Sequence, residues 1–259
     1  MNILIQMVWG FLISVVIVFV AYRGRSLSKS GAAGAMIVGT TIFGFGGWVL
    51  GALLIVFFFL SSLLSHYKAA VKAHLAEKFA KGHQRDLGQT LANGGAGALT
   101  AFVFFFSPNP VILVAYVGVI ATVNADTWAT ELGVLSRRMP RLLTTWRPVE
   151  PGTSGGISLP GTLASVAGAL TIGVAAAIFL GIDTILGGTV NTFLGSNCIP
   201  GSVLLILAAV VGGGLGPCST ACWAPLFRQS TTRQPAKRKQ RGKWMWMEQL
   251  TSTNVVGNG

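Results

Sequence analysis

VILVAYVGVIATVNADTWATELGV, residues 111–134, opens as uninterrupted hydrocarbon-compatible sequence and then sets down Asn124, Asp126, Thr127 and Glu131. Its length is that of a segment crossing the roughly 30 Å hydrocarbon core, which takes about 20 residues. A carboxylate near the centre of such a segment costs about 2.5 kcal/mol or more, so it normally faces a bundle interior and carries a function. The chain has only seven acidic residues in 259, which makes two of them in one apolar segment the first observation to explain. Asn124, Thr127 and Glu131 follow the spacing of one helix face. Asp126 and Glu131 are five apart, roughly 140° around an ideal helix. They converge only on a ligand or cation between them, or from a distorted helix. The alternative is that these residues are polar glue between helices.

Outward from this segment, similar apolar runs occupy 3–20, 31–47, 48–66, 90–106, 160–182 and 202–216. Hydrophobic residues make up 52% of the chain and charged residues 10%, against about 25% charged in a soluble domain; the mean hydropathy is +0.65. The expected fold is all-α, a polytopic transmembrane bundle of six to seven spans occupying 1–216. The first run carries no positive charge before Arg23, so it reads as a retained span rather than a signal peptide.

Basic residues fall on alternate connections: Arg23, Arg25 and Lys29; Lys68, Lys72, Lys78, Lys81 and Arg85; Arg137, Arg138, Arg141 and Arg147. The connections near 44–47, 107–110 and 181–201 have no Lys or Arg. The positive-inside rule then puts the N-terminus outside and the basic loops in the cytoplasm of a cell-membrane protein. The net charge of +12 follows from that topology and from anionic headgroups. No groove-reading module accompanies it, so a nucleic-acid partner is not expected. Cys198, Cys218 and Cys222 lack zinc spacing, and His66, His74 and His83 belong to one basic loop.

Two further clusters enter spans from basic loops. RDLGQTLANGGAGA (85–98) contains Asn93, Gly94 and Gly95, and EPGTSGGISLPGTLAS (150–165) contains Thr153, Ser154, Gly155, Gly156 and Ser158. At a helix start, free N–H groups and the helix dipole favour an anion, and glycine lets it approach the backbone. Packing alone also explains glycine pairs in membrane helices. With Asp126 and Glu131 as Mg²⁺ ligands and Lys29, Arg85 and Arg147 as cations for phosphate oxygens, the three clusters are expected to surround one phosphate pocket. The substrate class is then a phosphorylated, lipid-linked molecule.

NADTWATELG, LANGG and TSGGIS, together with the glycine-rich span after SLSKSGAAGA (26–35), resemble the integral-membrane family of phytyl-phosphate kinase and transmembrane protein 19. The resemblance covers about residues 20–216. It implies a phosphotransferase of isoprenoid metabolism that uses a nucleoside triphosphate and Mg²⁺ to convert a prenyl (phytyl-like) monophosphate into the diphosphate. It carries acidic roles onto Asp126 and Glu131, and phosphate binding onto Asn93 and Ser158. Ser154 stands where the family has Asn. The prenyl tail would lie between spans in contact with membrane lipid; donor nucleotide, chain length and oligomeric state stay open. A transporter or flippase for an anionic lipid is the competing reading, and a purely structural membrane protein the third.

After Gly216 the family's acidic helix is absent. The codons bridging Cys222–Trp223 and Trp223–Ala224 would read Leu and Gly one base out of frame, as that helix requires. The basic tail, 217–259, is therefore expected to be frameshifted or disordered. A chain so altered lacks an acidic helix of the family, which puts its activity in question.

Overall fold

The computed structural model describes residues 3–67, 84–136, 138–150, 153, 155–188 and 206–213. Ser154, Arg137, His74, His83, the three cysteines, the lysines of 68–81, both ends of the seventh expected span and the tail from 217 lie outside the described residues.

Five long helices carry the structure: α1 Ile3–Arg23, α2 Lys29–His66, α3 Leu87–Phe106, α4 Pro110–Gly133 and α5 Leu159–Ile185, with a two-stranded ladder, β1 Arg141–Leu142 and β2 Gly156–Ile157, between the last two. A further helix covers 206–213. The chain is thus an all-α polytopic membrane protein. Among the described helices, α1, α2, α4 and α5 are long and apolar enough to cross a membrane. The polar start of α3, with Gln89, Thr90 and Asn93, keeps it out of that set.

At 38 residues, α2 would extend about 57 Å if straight, nearly twice the hydrocarbon thickness. It breaks at Gly47, whose φ of 72° and ψ of −168° belong to a region open essentially to glycine alone. The first arm (29–46) then doubles back as the second (48–66). The Phe43 ring lies against Gly51 across the fold. Arg85 closes the hairpin at its other end. Its backbone pairs with Ser26 and Ser28 before the first arm, at 3.0 and 3.1 Å, and its Nη1 donates to Ser62 Oγ on the second, at 3.2 Å. The boundary expected between residues 47 and 48 is therefore a helical turnaround.

The first arm runs beside α3: a Cβ on Gly31 would strike the Arg85 carbonyl, one on Gly34 Leu87 and Thr90, one on Gly94 Val38. The second arm runs beside α4, fixed by Tyr116 OH donating to the Leu50 carbonyl (2.7 Å) and by Ser61 Oγ donating to Asn124 Oδ1 (3.3 Å). α4 and α5 approach closely where Asn124 Nδ2 donates to the Gly168 carbonyl (2.8 Å) and where Gly161 lies against Gly133. Buried Ile42, Leu50, Leu53, Leu113, Ile120 and Ile172 fill the centre.

This connectivity gives the bundle two unlike ends. The end of α1, both termini of α2, the start of α3, the end of α4 and the start of α5 gather at a basic end. The Gly47 turn, the 107–109 connection and the end of α5 form the opposite one.

Candidate phosphate and tail site at the basic end

Arg85 is the centre of the basic end. Its guanidinium is half-buried, 5.4 Å from the Phe58 ring centroid, a separation at which the ring face attracts a cation. Burial pushes its pKa below the ordinary arginine value, and the charge of Glu131 opposes that shift; a guanidinium still keeps its proton under such conditions. Glu131 Oε1 in turn accepts a 2.7 Å hydrogen bond from Ser65 Oγ. Ser62, Ser65, Arg85 and Glu131 thus form a polar group between the second arm, the α3 entry and α4.

Below Arg85 lies an apolar slot bounded by α1, both arms of α2 and the first turns of α3. Its upper rim carries Arg85 and Thr90; its walls include Ile17, Ala35, Asn93, Leu54 and Phe57, and Phe43 lies deepest along the first arm. Ile55, 37% exposed, leaves part of the wall open to the surroundings. A cationic rim over hydrocarbon walls has the polarity of an anionic amphiphile, and a small number of polar groups over an apolar lining is the usual form of a ligand site.

The carboxylates of α4 part company. The helix is regular from Pro110 to Gly133, so nothing brings Asp126 and Glu131 together, and their joint chelation of one ion is not supported. Asn124 and Glu131 face the second arm of α2. Asp126 lies roughly 160° away from Asn124, on the face of Ala129 and Gly133, which meets Ser158 and Gly161 of α5. Asp126 is half-buried, and among the described residues its carboxylate accepts no hydrogen bond. A single free carboxylate fits Mg²⁺, which takes most of its ligands from water and substrate phosphates. Among the described residues no group of three or more His, Cys, Asp or Glu side chains could hold a metal by itself.

The single pocket expected around Asn93, Asp126 and Gly155 is therefore divided between two faces of α4. One face holds Arg85 and Glu131 beside the slot that Asn93 lines; the other holds Asp126 with the turn entering α5. Two expected anion contacts are corrected. Gly94 and Gly95 are not at a helix start, because α3 begins at Leu87; their N–H groups are used inside the helix, only the first four being free. Gly94 instead lets Val38 approach. The true start of α3 is capped by the Asp86 carboxylate, which accepts from the Gln89 N–H at 2.8 Å and would repel an anion.

Other expected site residues serve the fold. Asn124 is fully buried, with both ends of its amide bonded to α2 and α5, and acts as interhelical glue. Thr127 Oγ1 returns to the Val123 carbonyl (2.8 Å). Ser158 caps α5, accepting from the Gly161 N–H (3.3 Å) and donating to the Gly133 carbonyl (3.4 Å). Gly155, at φ 82°, turns the chain while its carbonyl accepts from the Leu143 N–H (3.1 Å); the Thr153 carbonyl accepts from the Gly156 N–H (3.0 Å). Lys29 is exposed at the first position of α2. Ser62 and Ser65 were not singled out from sequence, although SSLLS at 61–65 puts Ser61 and Ser65 on one face of an otherwise apolar arm.

Comparison with known proteins follows the same residues. The sequence model of a family described as integral membrane protein DUF92 matches residues 12–219. Protein PGR of Arabidopsis thaliana is 36% identical over 188 residues, 67% of this chain and 65% of that protein. The membrane protein MJ0933 of Methanocaldococcus jannaschii is 34% identical over 233 residues, 83% of this chain and 95% of that protein. Protein VTE6, chloroplastic, of Arabidopsis thaliana is 28% identical over 196 residues, 71% of this chain and 53% of that protein. The chain thus spans just under two thirds of the one plant relative and about half of the other. No solved structure matches it.

Proposed function

The chain belongs to the integral membrane protein family DUF92, and from that premise we propose that it is a membrane-embedded kinase acting on a prenyl monophosphate. The observation that carries the reading is Arg85, held by Ser62 and Phe58 at the rim of an apolar slot, within the field of the Glu131 carboxylate. Such a rim would bind the phosphate of an isoprenoid whose hydrocarbon tail enters the slot, with Thr90 as a neutral partner and Asn93 further down the wall.

In the reaction a phosphate oxygen of the prenyl monophosphate attacks the terminal phosphorus of a nucleoside triphosphate. The bridging P–O bond to the middle phosphate breaks, and a prenyl diphosphate and a nucleoside diphosphate leave. Phosphoryl transfer relies on positioning and charge neutralisation, and a phosphate monoester is already an anionic nucleophile, so no strong base is required. Asp126 would hold Mg²⁺ on the triphosphate, which when bound neutralises phosphate charge. Glu131 would position Arg85 rather than ligate metal. Thr153, Gly155 and Gly156 form the turn on the Asp126 side that the donor would approach, and for transfer its triphosphate would reach round α4 to the acceptor phosphate at Arg85. The positive-inside rule would put this end in the cytoplasm.

Membranes carrying the chain, its coding frame verified by resequencing, would be given labelled nucleoside triphosphate, Mg²⁺ and geranyl, farnesyl or phytyl monophosphate. Formation of the diphosphate is expected. Absence of product with every tail refutes the kinase, and binding without conversion favours a carrier of the same amphiphile.

A further inference from the structure

The slot has a depth as well as a rim. Gly31 lies against the Arg85 carbonyl, at the level of the rim, and Phe43 is the deepest lining residue on the same arm. Twelve residues of helix separate them, roughly 18 Å, which is about three fifths of the roughly 30 Å hydrocarbon core. Small residues line the first arm between these levels: Ala35 one turn below Gly31, and Gly39, which lets Ser14 of α1 pack against the arm beside the slot. Below them the slot is stopped, because the Phe43 ring is seated on Gly51 at the fold of the hairpin, and Gly10 of α1 packs behind Phe43.

We propose that this slot gauges the length of the substrate's tail: with the phosphate at Arg85, an acyclic hydrocarbon chain runs down between α1 and the arms of α2 until it meets Phe43. Tails shorter than the slot leave its lower walls uncovered and bind more weakly. Tails longer than it must turn out past Ile55, where the wall is open. Phe43 is then the specificity-determining residue, as the floor, while Ala35 leaves the clearance that every tail needs near the rim. The inference rests on the reading of Arg85 as the phosphate site, but length selection and head-group selection are separately measurable.

The test is equilibrium binding of geranyl, farnesyl and phytyl monophosphates, and of phytol, to the full chain in lipid nanodiscs. Phe43→Ala should raise the preference for phytyl over geranyl monophosphate by about threefold or more. Phe43→Leu, a smaller deepening, should move the preference the same way by a smaller factor. Ala35→Phe, only about 6 Å below the rim, should weaken every tail together. A packing defect without a gauge would change all tails by one common factor in the Phe43 variants as well, and that result, or no change in them, overturns the proposal. Equal affinity of the unaltered chain for phytol and phytyl monophosphate would sink the head-group reading alone; the gauge would then stand or fall on the same length series measured with the alcohols.

Discussion

The two ends of the bundle solve opposite problems with similar materials. At the end formed by the Gly47 turn, polar groups are paired and closed over. Trp48 Nε1 donates to the buried Asp183 carboxylate at 2.8 Å, and Phe45, Phe102, Phe105 and Phe106 form edge-on pairs with centroids 5.0 to 5.4 Å apart. At the basic end the polar groups border space: Arg85 stands on the rim of a slot, and Asp126 has no hydrogen-bond partner among the described residues. The contrast teaches that an ionisable side chain inside a membrane bundle is not a site merely by being there. Asp183 holds α5 to the α2 turn, whereas Arg85 is held by its neighbours in a position to receive something.

That difference can be broken by substitutions at either end. The largest effect is expected from Asp126→Asn, which should lower turnover by about a thousandfold through loss of electrostatic stabilisation, with phytyl monophosphate binding and membrane insertion unchanged. A loss of stability instead would make Asp126 another structural acid. At the closed end, Gly47→Ala forces a side chain into a conformation costing about 1–3 kcal/mol, and the protein's melting temperature should fall while affinity per folded molecule stays the same. Asp183→Ala leaves the Trp48 N–H without its acceptor, a loss of about 1–3 kcal/mol, again seen in thermal unfolding and not in binding. Ser65→Ala is the mildest: removing one hydrogen bond to Glu131 should cost about 1 kcal/mol and weaken phosphate binding slightly, by loosening the carboxylate behind Arg85. If Asp183→Ala altered ligand affinity as much as it altered stability, the division of labour between the ends would be wrong.

Much of this architecture is legible in the residues. The run of apolar segments, the break in GFGG at 44–47 and the gathering of Arg23, Arg85 and Arg141 on alternate connections all follow from rules with one physical cause each: hydrocarbon thickness, glycine conformation and charge asymmetry. In SGAAGA the structure shows what the resemblance alone did not say, a close approach of the Arg85 carbonyl to Gly31. What the residues did not carry was the face each polar group takes. Periodicity separates Asp126 from Glu131 by an angle, but only the packing of α2 and α5 on two neighbouring faces of α4 tells what each one meets. LANGG likewise resembles a helix start until the Asp86 cap moves that start to Leu87. Ser65, Trp48 and Asp183 find partners about 65 to 135 residues away, and no local pattern announces such pairs.

The claim on which the account turns is that Arg85 heads a slot for a phosphorylated hydrocarbon. It is tested most directly by comparing phytyl monophosphate with phytol as ligands of the chain and of its Arg85→Gln variant in nanodiscs. The account predicts that the phosphate strengthens binding by about a hundredfold and that Arg85→Gln removes most of that advantage while leaving phytol binding unchanged, as expected for a charge-assisted contact. Equal binding of the two ligands, or a phosphate advantage that survives Arg85→Gln, would contradict it.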